Sequence, residues 1–188
     1  MTADEVAACH LAMSETETYQ RLDDVIEWAK DKVILMLTVK SNEAFQRAIQ
    51  AILEHNAQDR IFVEVYLNTF LSVIPSVPDH DKVRYNVQID SFDDITTLVD
   101  TIKDPTVMLC ETDSATLPDA DIAKMSDAIA NRLHPAGIGA FIDARRYVSV
   151  EAQAGLFQEG FDVVMTYSLD NAITARIQVN KTRDITPP

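Results

Sequence analysis

From residue 20 onward, short apolar runs alternate with stretches of helical spacing, and this alternation constrains the fold more than any other feature of the chain. RLDDVIEWAKD (21–31) sets Leu22, Val25, Ile26 and Ala29 on one helical face, and KVILMLTVK (32–40) follows as a strand. The helix SNEAFQRAIQAILEHN (41–56), with Ser41 or Asn42 as its cap, carries a stripe of Phe45, Ile49, Ile52 and Leu53. RIFVEVY (60–66) is the next strand, before a short helix stopped by Pro75 and Pro78. KVRYNVQI (82–89) precedes a helix over 91–103 that Ser91 can cap, and PTVMLCE (105–111) precedes a helix over 118–134. GIGAFIDA (137–144) leads into a helix ending at Gly160, and FDVVMTY (161–167) leads into a helix over 168–179.

Six strand-then-helix units result, and such alternation predicts a parallel sheet flanked by helices, either doubly wound or a (β/α) barrel. A complete eight-unit barrel takes about 250 residues. With 188 residues, this chain is two units short. No linker or composition shift divides it, so one domain over 1–188 is expected, with 180–188 a polar tail that lies on the surface or frays.

The run Val33–Leu37 reads as a strand buried on both faces, yet it finishes in Thr38, Val39 and Lys40. Side chains alternate along a strand, so Thr38 and Lys40 face the same way. A lysine there is either an edge marker or a group pointed into a site.

The net charge of -14, from 30 acids against 16 Lys and Arg, repels phosphate backbones and argues against nucleic-acid binding. It suits a cation-binding pocket, although a solvated acidic surface is the simpler reading. With 4 glycines and neither a G-x-G-x-x-G nor a G-x-x-x-x-G-K-[ST] run, a nucleotide site of the common kind is not expected. Cys9 and Cys110 form no C-x-x-C, so free thiols in a reducing cytoplasm are the default. The acidic start MTADEVAACH is not a signal peptide and no later stretch approaches a membrane span, which points to a cytoplasmic protein.

The segments TADEVAACHL, RLDDVIEWAKDKVILMLTVK and GFDVVMTYSLDNA resemble the wording of the glycerophosphodiester phosphodiesterase family around its third and eighth strands. The resemblance covers nearly the whole chain in layout, and its specific wording is confined to residues 2–40 and 160–172. It implies a parallel-stranded partial TIM barrel of the phospholipase-C-like type, made of strands 3–8 of the family barrel and truncated at its N-terminus. It also implies a phosphoric diester hydrolase of lipid and glycerophosphodiester metabolism, working with a divalent metal. The family's His-Arg-Gly and Glu-x-Asp lie on its first two strands, and this sequence starts after that point. At the third strand the family's metal-binding acid corresponds to Thr38, while Lys40 keeps the position of a phosphate-facing lysine. At the eighth strand the usual Asp after Thr is Tyr167. A neutral hydroxyl cannot supply the charge a carboxylate gives a hard cation. Lost or reduced catalysis is the expectation, with no cofactor if the site is inactive.

In a barrel, C-terminal strand ends point into the mouth. Here these are Lys40, Glu64, Tyr66, Asp90, Glu111, Asp113, Asp143, Arg145 and Thr166. Glu64, Glu111 and Asp143 form a candidate oxygen cluster for Mg²⁺ or Ca²⁺, with Lys40 and Arg145 as candidate phosphate-binding groups for a glycerophosphodiester or another phosphate-bearing small molecule. The favoured simpler reading pairs these acids with Lys40, Arg84, Arg145 and Arg146. His55 and His134 fall in last turns of helices, where a partly charged imidazole complements the dipole. Trp28 and Met36, Met108, Met125 and Met165 read as packing, and Cys110 as buried and inert. Six strands of an eight-stranded barrel leave open edges that invite association, with Leu35, Leu37 and Phe62 insufficiently covered. Residues 1–20 as a plug, edge-to-edge pairing of two chains, rearrangement into an open sheet, or missing units supplied from upstream would each answer that exposure. A homo-oligomer, as a self-pairing homodimer, is the reading adopted, and the alternative to an enzyme is a non-catalytic binding or assembly module that self-associates through those edges.

Overall fold

The computed structural model describes residues 2–12, 14, 16–115 and 119–182. Helices α1 (Ala3–Ala7) and α2 (Leu22–Ala29) precede the first strand. Six strands follow, each succeeded by a helix. They are β1 (Leu35–Thr38) with α3 (Asn42–Glu54), β2 (Ile61–Tyr66) with α4 (Leu67–Ser72), and β3 (Arg84–Ile89) with α5 (Phe92–Thr96). Then come β4 (Val107–Asp113) with α6 (Asp119–Ala128), β5 (Gly139–Asp143) with α7 (Val150–Gln158), and β6 (Val163–Met165) with α8 (Leu169–Thr182). The sheet order is β1-β2-β3-β4-β5-β6, the chain order itself. The fold is the expected α/β arrangement of strands and intervening helices, a partial TIM barrel. The chain divides into two compact units, Met1–Val63 with Val73–Arg84, and Glu64–Ser72 with Tyr85–Pro188.

In the first unit, a capping box starts α1: Thr2 N–H donates to Glu5 Oε2 (2.6 Å) and Glu5 N–H donates to Thr2 Oγ1 (3.2 Å). The predicted face of α2 buries Ile26 and Ala29, and α3 buries Phe45, Ala48, Ile49 and Ile52. The stretch 32–40 departs from expectation. Only Leu35–Thr38 forms a strand, its first three residues are half-buried, and Thr38 is exposed. Val33 and Ile34 are exposed as well. The reason is position: β1 opens the sheet order, and an edge strand is covered less than an inner one. Trp28 is also a correction. It is 61% exposed, because the helical turn that brings Ile26 and Ala29 inward leaves position 28 outside, where Lys32 Nζ sits 4.9 Å from the ring centroid.

In the second unit, β3, β4, β5 and β6 pair in parallel, with Val87 opposite Cys110, Cys110 opposite Ala140 and Ile142 opposite Val164. Tyr85, Val87, Cys110, Ala140 and Ile142 are fully enclosed, and Tyr85 meets Phe70 edge to face at 5.2 Å. Met125 is core as predicted, whereas Met165 is 39% exposed because β6 closes the sheet order as the other edge. The predicted helices after β3 and β4 both end in wide π-helical turns, Thr97–Ile102 and Ile129–Leu133. The first of these stops where Lys103, at φ 49°, donates its N–H to Leu98 O. Ser149 caps α7 by accepting from Ala152 N–H at 3.2 Å. Of the expected polar tail, residues 180–182 belong to α8 and the remainder lies outside the described residues, as does Pro118 at the predicted start of α6.

Candidate functional site

The end of β4 reads Glu111-Thr112-Asp113, a Glu-x-Asp spacing that sets both carboxylates on one face of the strand. In the parallel register, Asp113 lies directly opposite Asp143 at the end of β5. Two aspartates facing each other across neighbouring strands repel. Arg145 resolves the conflict. Its Nε donates to Asp143 Oδ1 at 2.7 Å, its Nη2 pairs with Asp143 Oδ2, and the same nitrogen lies 3.9 Å from Asp113 Oδ2. The Arg145 N–H also donates to Asp143 Oδ1, at 3.3 Å. The Asp143 bonds first, then a hydrogen bond with Tyr167, hold the Arg145 guanidinium charged well above its ordinary range.

Glu111 is 3% exposed, beside Asn86, whose Nδ2 donates to Glu111 Oε2. Burial pushes the Glu111 carboxyl up to about 7, and the charge of Glu64 pushes in the same direction. The Asn86 bond opposes the shift, while Asp143 and Asp113 add to it more weakly. At neutral pH this side chain therefore stands near the midpoint of its ionisation.

Of the sequence-derived candidates, Glu64, Glu111, Asp113, Asp143 and Arg145 all belong to the second unit, and electrostatic coupling to Glu111 links the first four. Lys40 lies in the first unit, exposed beyond the end of β1. Tyr66 and Asp90 are exposed. Thr166 is a structural hydroxyl: its Oγ1 accepts from Gln153 Nε2 at 2.8 Å and from Ser168 N–H at 3.0 Å. The expected pairing of strand-end acids with arginines occurs at Arg145, whereas Arg84 pairs with Asp59 within the first unit.

Among the described residues, no three His, Cys, Asp or Glu side chains are grouped so as to hold a metal ion. The donor chemistry explains why. Asp143 is occupied by a guanidinium, and Glu111 is half-protonated and bonded to an amide. A hard divalent cation, which requires ionised oxygens, would compete there with that guanidinium and that proton.

Two buried amides escaped the reading of the sequence. Asn86 and Gln153 are both fully enclosed, and Gln153 Nε2 also donates to Tyr147 O at 2.7 Å. Asn86 left one signal, a lone amide inside the strand run KVRYNVQI, where an apolar or exposed side chain is ordinary. The helix-end histidines lie where expected but have specific acid partners. His134 Nε2 lies 2.9 Å from Asp162 Oδ2, which also accepts from Ala140 N–H, and His55 lies between Glu27 and Asp23. No helix among the described residues is long and apolar enough to cross a membrane.

No protein-family model matches this sequence, and no curated protein sequence matches it. Its three-dimensional arrangement does match solved structures. A glycerophosphoryl diester phosphodiesterase from Parabacteroides distasonis superposes with a TM-score of 0.66 at 16% identity, over 84% of this chain and 55% of that one. A second glycerophosphodiester phosphodiesterase from the same organism superposes with a TM-score of 0.64 at 12% identity, over 97% of this chain and 72% of that one. The chain thus spans about half the length of the first of these and less than three quarters of the second. At such identities the match establishes architecture, and that architecture is the fold of the glycerophosphodiester phosphodiesterases.

Proposed function

We propose that this chain is a glycerophosphodiester phosphodiesterase-like protein, related to the phosphoric diester hydrolases of lipid and glycerophosphodiester metabolism, in which metal-dependent hydrolysis is lost or much reduced. One observation carries the reading: two strand-end acids are already engaged within the protein, Asp143 by the Arg145 guanidinium and Glu111 by the proton that burial favours. Thr38, at the position where the resemblance implies a metal-binding acid, points the same way. Arg145 of the second unit is a proposed contact for a phosphate-bearing small molecule, and Lys40 of the first is proposed separately, on the resemblance, as a phosphate-facing group. A divalent ion such as Mg²⁺ or Ca²⁺ would have to displace the Arg145 guanidinium from Asp143 and the proton from Glu111 before Glu64, Glu111 and Asp143 could serve as its ligands. A cytoplasmic setting fits two free cysteines.

The test is hydrolysis of glycerophosphodiesters and of a chromogenic phosphodiester by the purified chain, with and without Mg²⁺, Ca²⁺ and Mn²⁺. A folded sample without turnover in any metal supports the reading. Metal-dependent turnover that disappears in Glu111→Gln overturns it.

A second reading, assembly through open edges, has its own observation. Val163 and Met165 on the edge strand β6, Tyr167 beyond it, and Leu169, Ile173 and Ile177 on α8 are all exposed. The last three recur every four residues and so form one helical stripe. A second copy of this chain is the proposed occupant, because each copy carries the same unpaired edge and a two-fold interface uses one patch twice. Sedimentation should then show a concentration-dependent dimer that Met165→Lys weakens at least tenfold. A monomer at every concentration rejects this reading.

A further inference from the structure

A cleft of about 730 Å³ in the second unit is lined by Arg132, which donates to Asp100 and Thr96, and by Asp104, which accepts from Thr106. It defines no single ligand chemistry. The polar cluster around His55 in the first unit does define a chemical state.

His55 is the C-terminal cap of α3. Its Nδ1 lies 2.6 Å from Glu27 Oε1 and its Nε2 lies 3.2 Å from Asp23 Oδ1, both on α2. A carboxylate only accepts hydrogen bonds, whereas a neutral imidazole has one donor nitrogen and one acceptor nitrogen. Both contacts are satisfied together only by the imidazolium. In the neutral form, one ring lone pair faces a carboxylate, and Asp23 and Glu27, four residues apart on the same helix face, lose the cation that offsets their repulsion. The C-terminal end of α3 favours the same charged state.

We propose that His55 is a pH-operated clasp: as an imidazolium it ties α2 to the end of α3, and on losing its proton it releases α2. The imidazole also forms part of the wall of a cavity of about 100 Å³ whose apolar lining includes Ile26 and Ala29 of α2, Leu35 of β1 and Ile61 of β2. Release of α2 therefore loosens one wall of that cavity and the lead into edge strand β1. The charged groups around the clasp are Asp23 and Glu27 from α2, Lys30 and Asp31 from the turn after it, and Arg60 before β2. Of these, the Glu27 bond acts most strongly to raise His55 above its ordinary 6.5, and Asp23 acts in the same direction. With the folded value above the unfolded one, the clasp is complete below about pH 6.5 and is lost as pH rises through the folded value.

Trp28 is the single tryptophan of the chain and lies on α2, so its fluorescence reports the helix directly. The experiment follows Trp28 emission and the His55 ring by NMR from pH 5 to 9. The proposal requires a His55 midpoint above 6.5 and a Trp28 transition that shares it. In His55→Gln, with far-UV circular dichroism confirming the fold, the Trp28 transition should vanish. Glu27→Gln should lower the His55 midpoint more than Asp23→Asn does, and it serves as the variant that keeps the histidine in place. A wild-type midpoint at or below 6.5, or a Trp28 transition that persists in His55→Gln, overturns the clasp.

Discussion

Two acid clusters in this molecule use the same side chains to opposite ends. In the first unit, Asp23 and Glu27 are about half-exposed, and they draw a proton onto His55. In the second, Glu64, Asp113 and Asp143 lie near a carboxyl that is almost wholly enclosed, and there burial first, with their negative charge adding to it, drives a proton onto Glu111 itself. A carboxylate in water keeps its charge and stabilises a neighbouring cation. The same group, once desolvated among other acids, gives up its charge unless a cation reaches it. Asp143 has such a cation in Arg145, and Glu111 has only an amide donor. The difference between an ion pair and a stored proton thus comes down to which partner each strand end supplies.

The largest effect that separates the two units is expected at their cysteines. Burial first, then the charges of Asp94 and Glu111, push the Cys110 thiol up to about 12 from an ordinary 9.0. Cys9 is only partly buried. At neutral pH Cys110 should alkylate at least about a thousandfold more slowly in the folded protein than in the unfolded chain, in line with its smaller thiolate fraction, while the partly buried Cys9 is labelled. Mass spectrometry of timed samples measures the ratio, and equal rates would mean that the interior around Glu111 is open to solvent.

Next in size is the pH dependence of stability set by Glu111. Its folded value, about 7, lies above the ordinary 4.5, so the stability present below pH 4.5 is lost as pH rises toward 7. The loss is on the order of 3 kcal/mol. Glu111→Gln should flatten that part of the profile, which urea unfolding at pH 4.5 and pH 7.5 would reveal as a smaller difference between the two. The His55 contribution has the same sign but lies at higher pH, since it survives to a pH above 6.5 before it fades.

A smaller effect tests the amide. Asn86→Ala removes the donor to Glu111 inside a closed core and should cost about 1–3 kcal/mol. Because that bond holds the Glu111 value down, the variant should also move the pH midpoint of stability upward. An unchanged midpoint would show that Asn86 packs beside Glu111 without governing its proton.

All six strands and the helix after each were legible in the alternation of apolar runs, and so were Ser149–Gly160 as a helix and the buried stripe of α3. What the alternation could not convey was exposure at the sheet edges. Val33, Ile34 and Met165 carry the same apolar letters as inner-strand residues, and only the strand order shows that they flank an edge. The acids at the ends of β4 and β5 were legible as candidates because strand ends are placed by counting. Their state was not, since it depends on register. Asp113 meets Asp143 because of the β4–β5 pairing, and Arg145 turns back onto both. Asn86 was missed although an amide is a misfit in that strand, and its partner lies 25 residues away and is chosen by the fold. Trp28 illustrates the reverse error, an aromatic assigned to the core when only its helix neighbours face inward.

The chain-ordered sheet has a consequence for how the second unit is assembled. Its strands pair only with their successors in sequence, so each joint closes a short stretch of chain: 23 residues from Val87 to Cys110, 30 from Cys110 to Ala140, and 22 from Ile142 to Val164. Such closures carry a modest entropic cost, and none has to wait for a distant segment to be made. The unit can therefore be laid down joint by joint as it leaves the ribosome. Opening should run the other way, beginning at the three-residue strand β6 and reaching β3 last, a gradient that amide exchange along the sheet would trace.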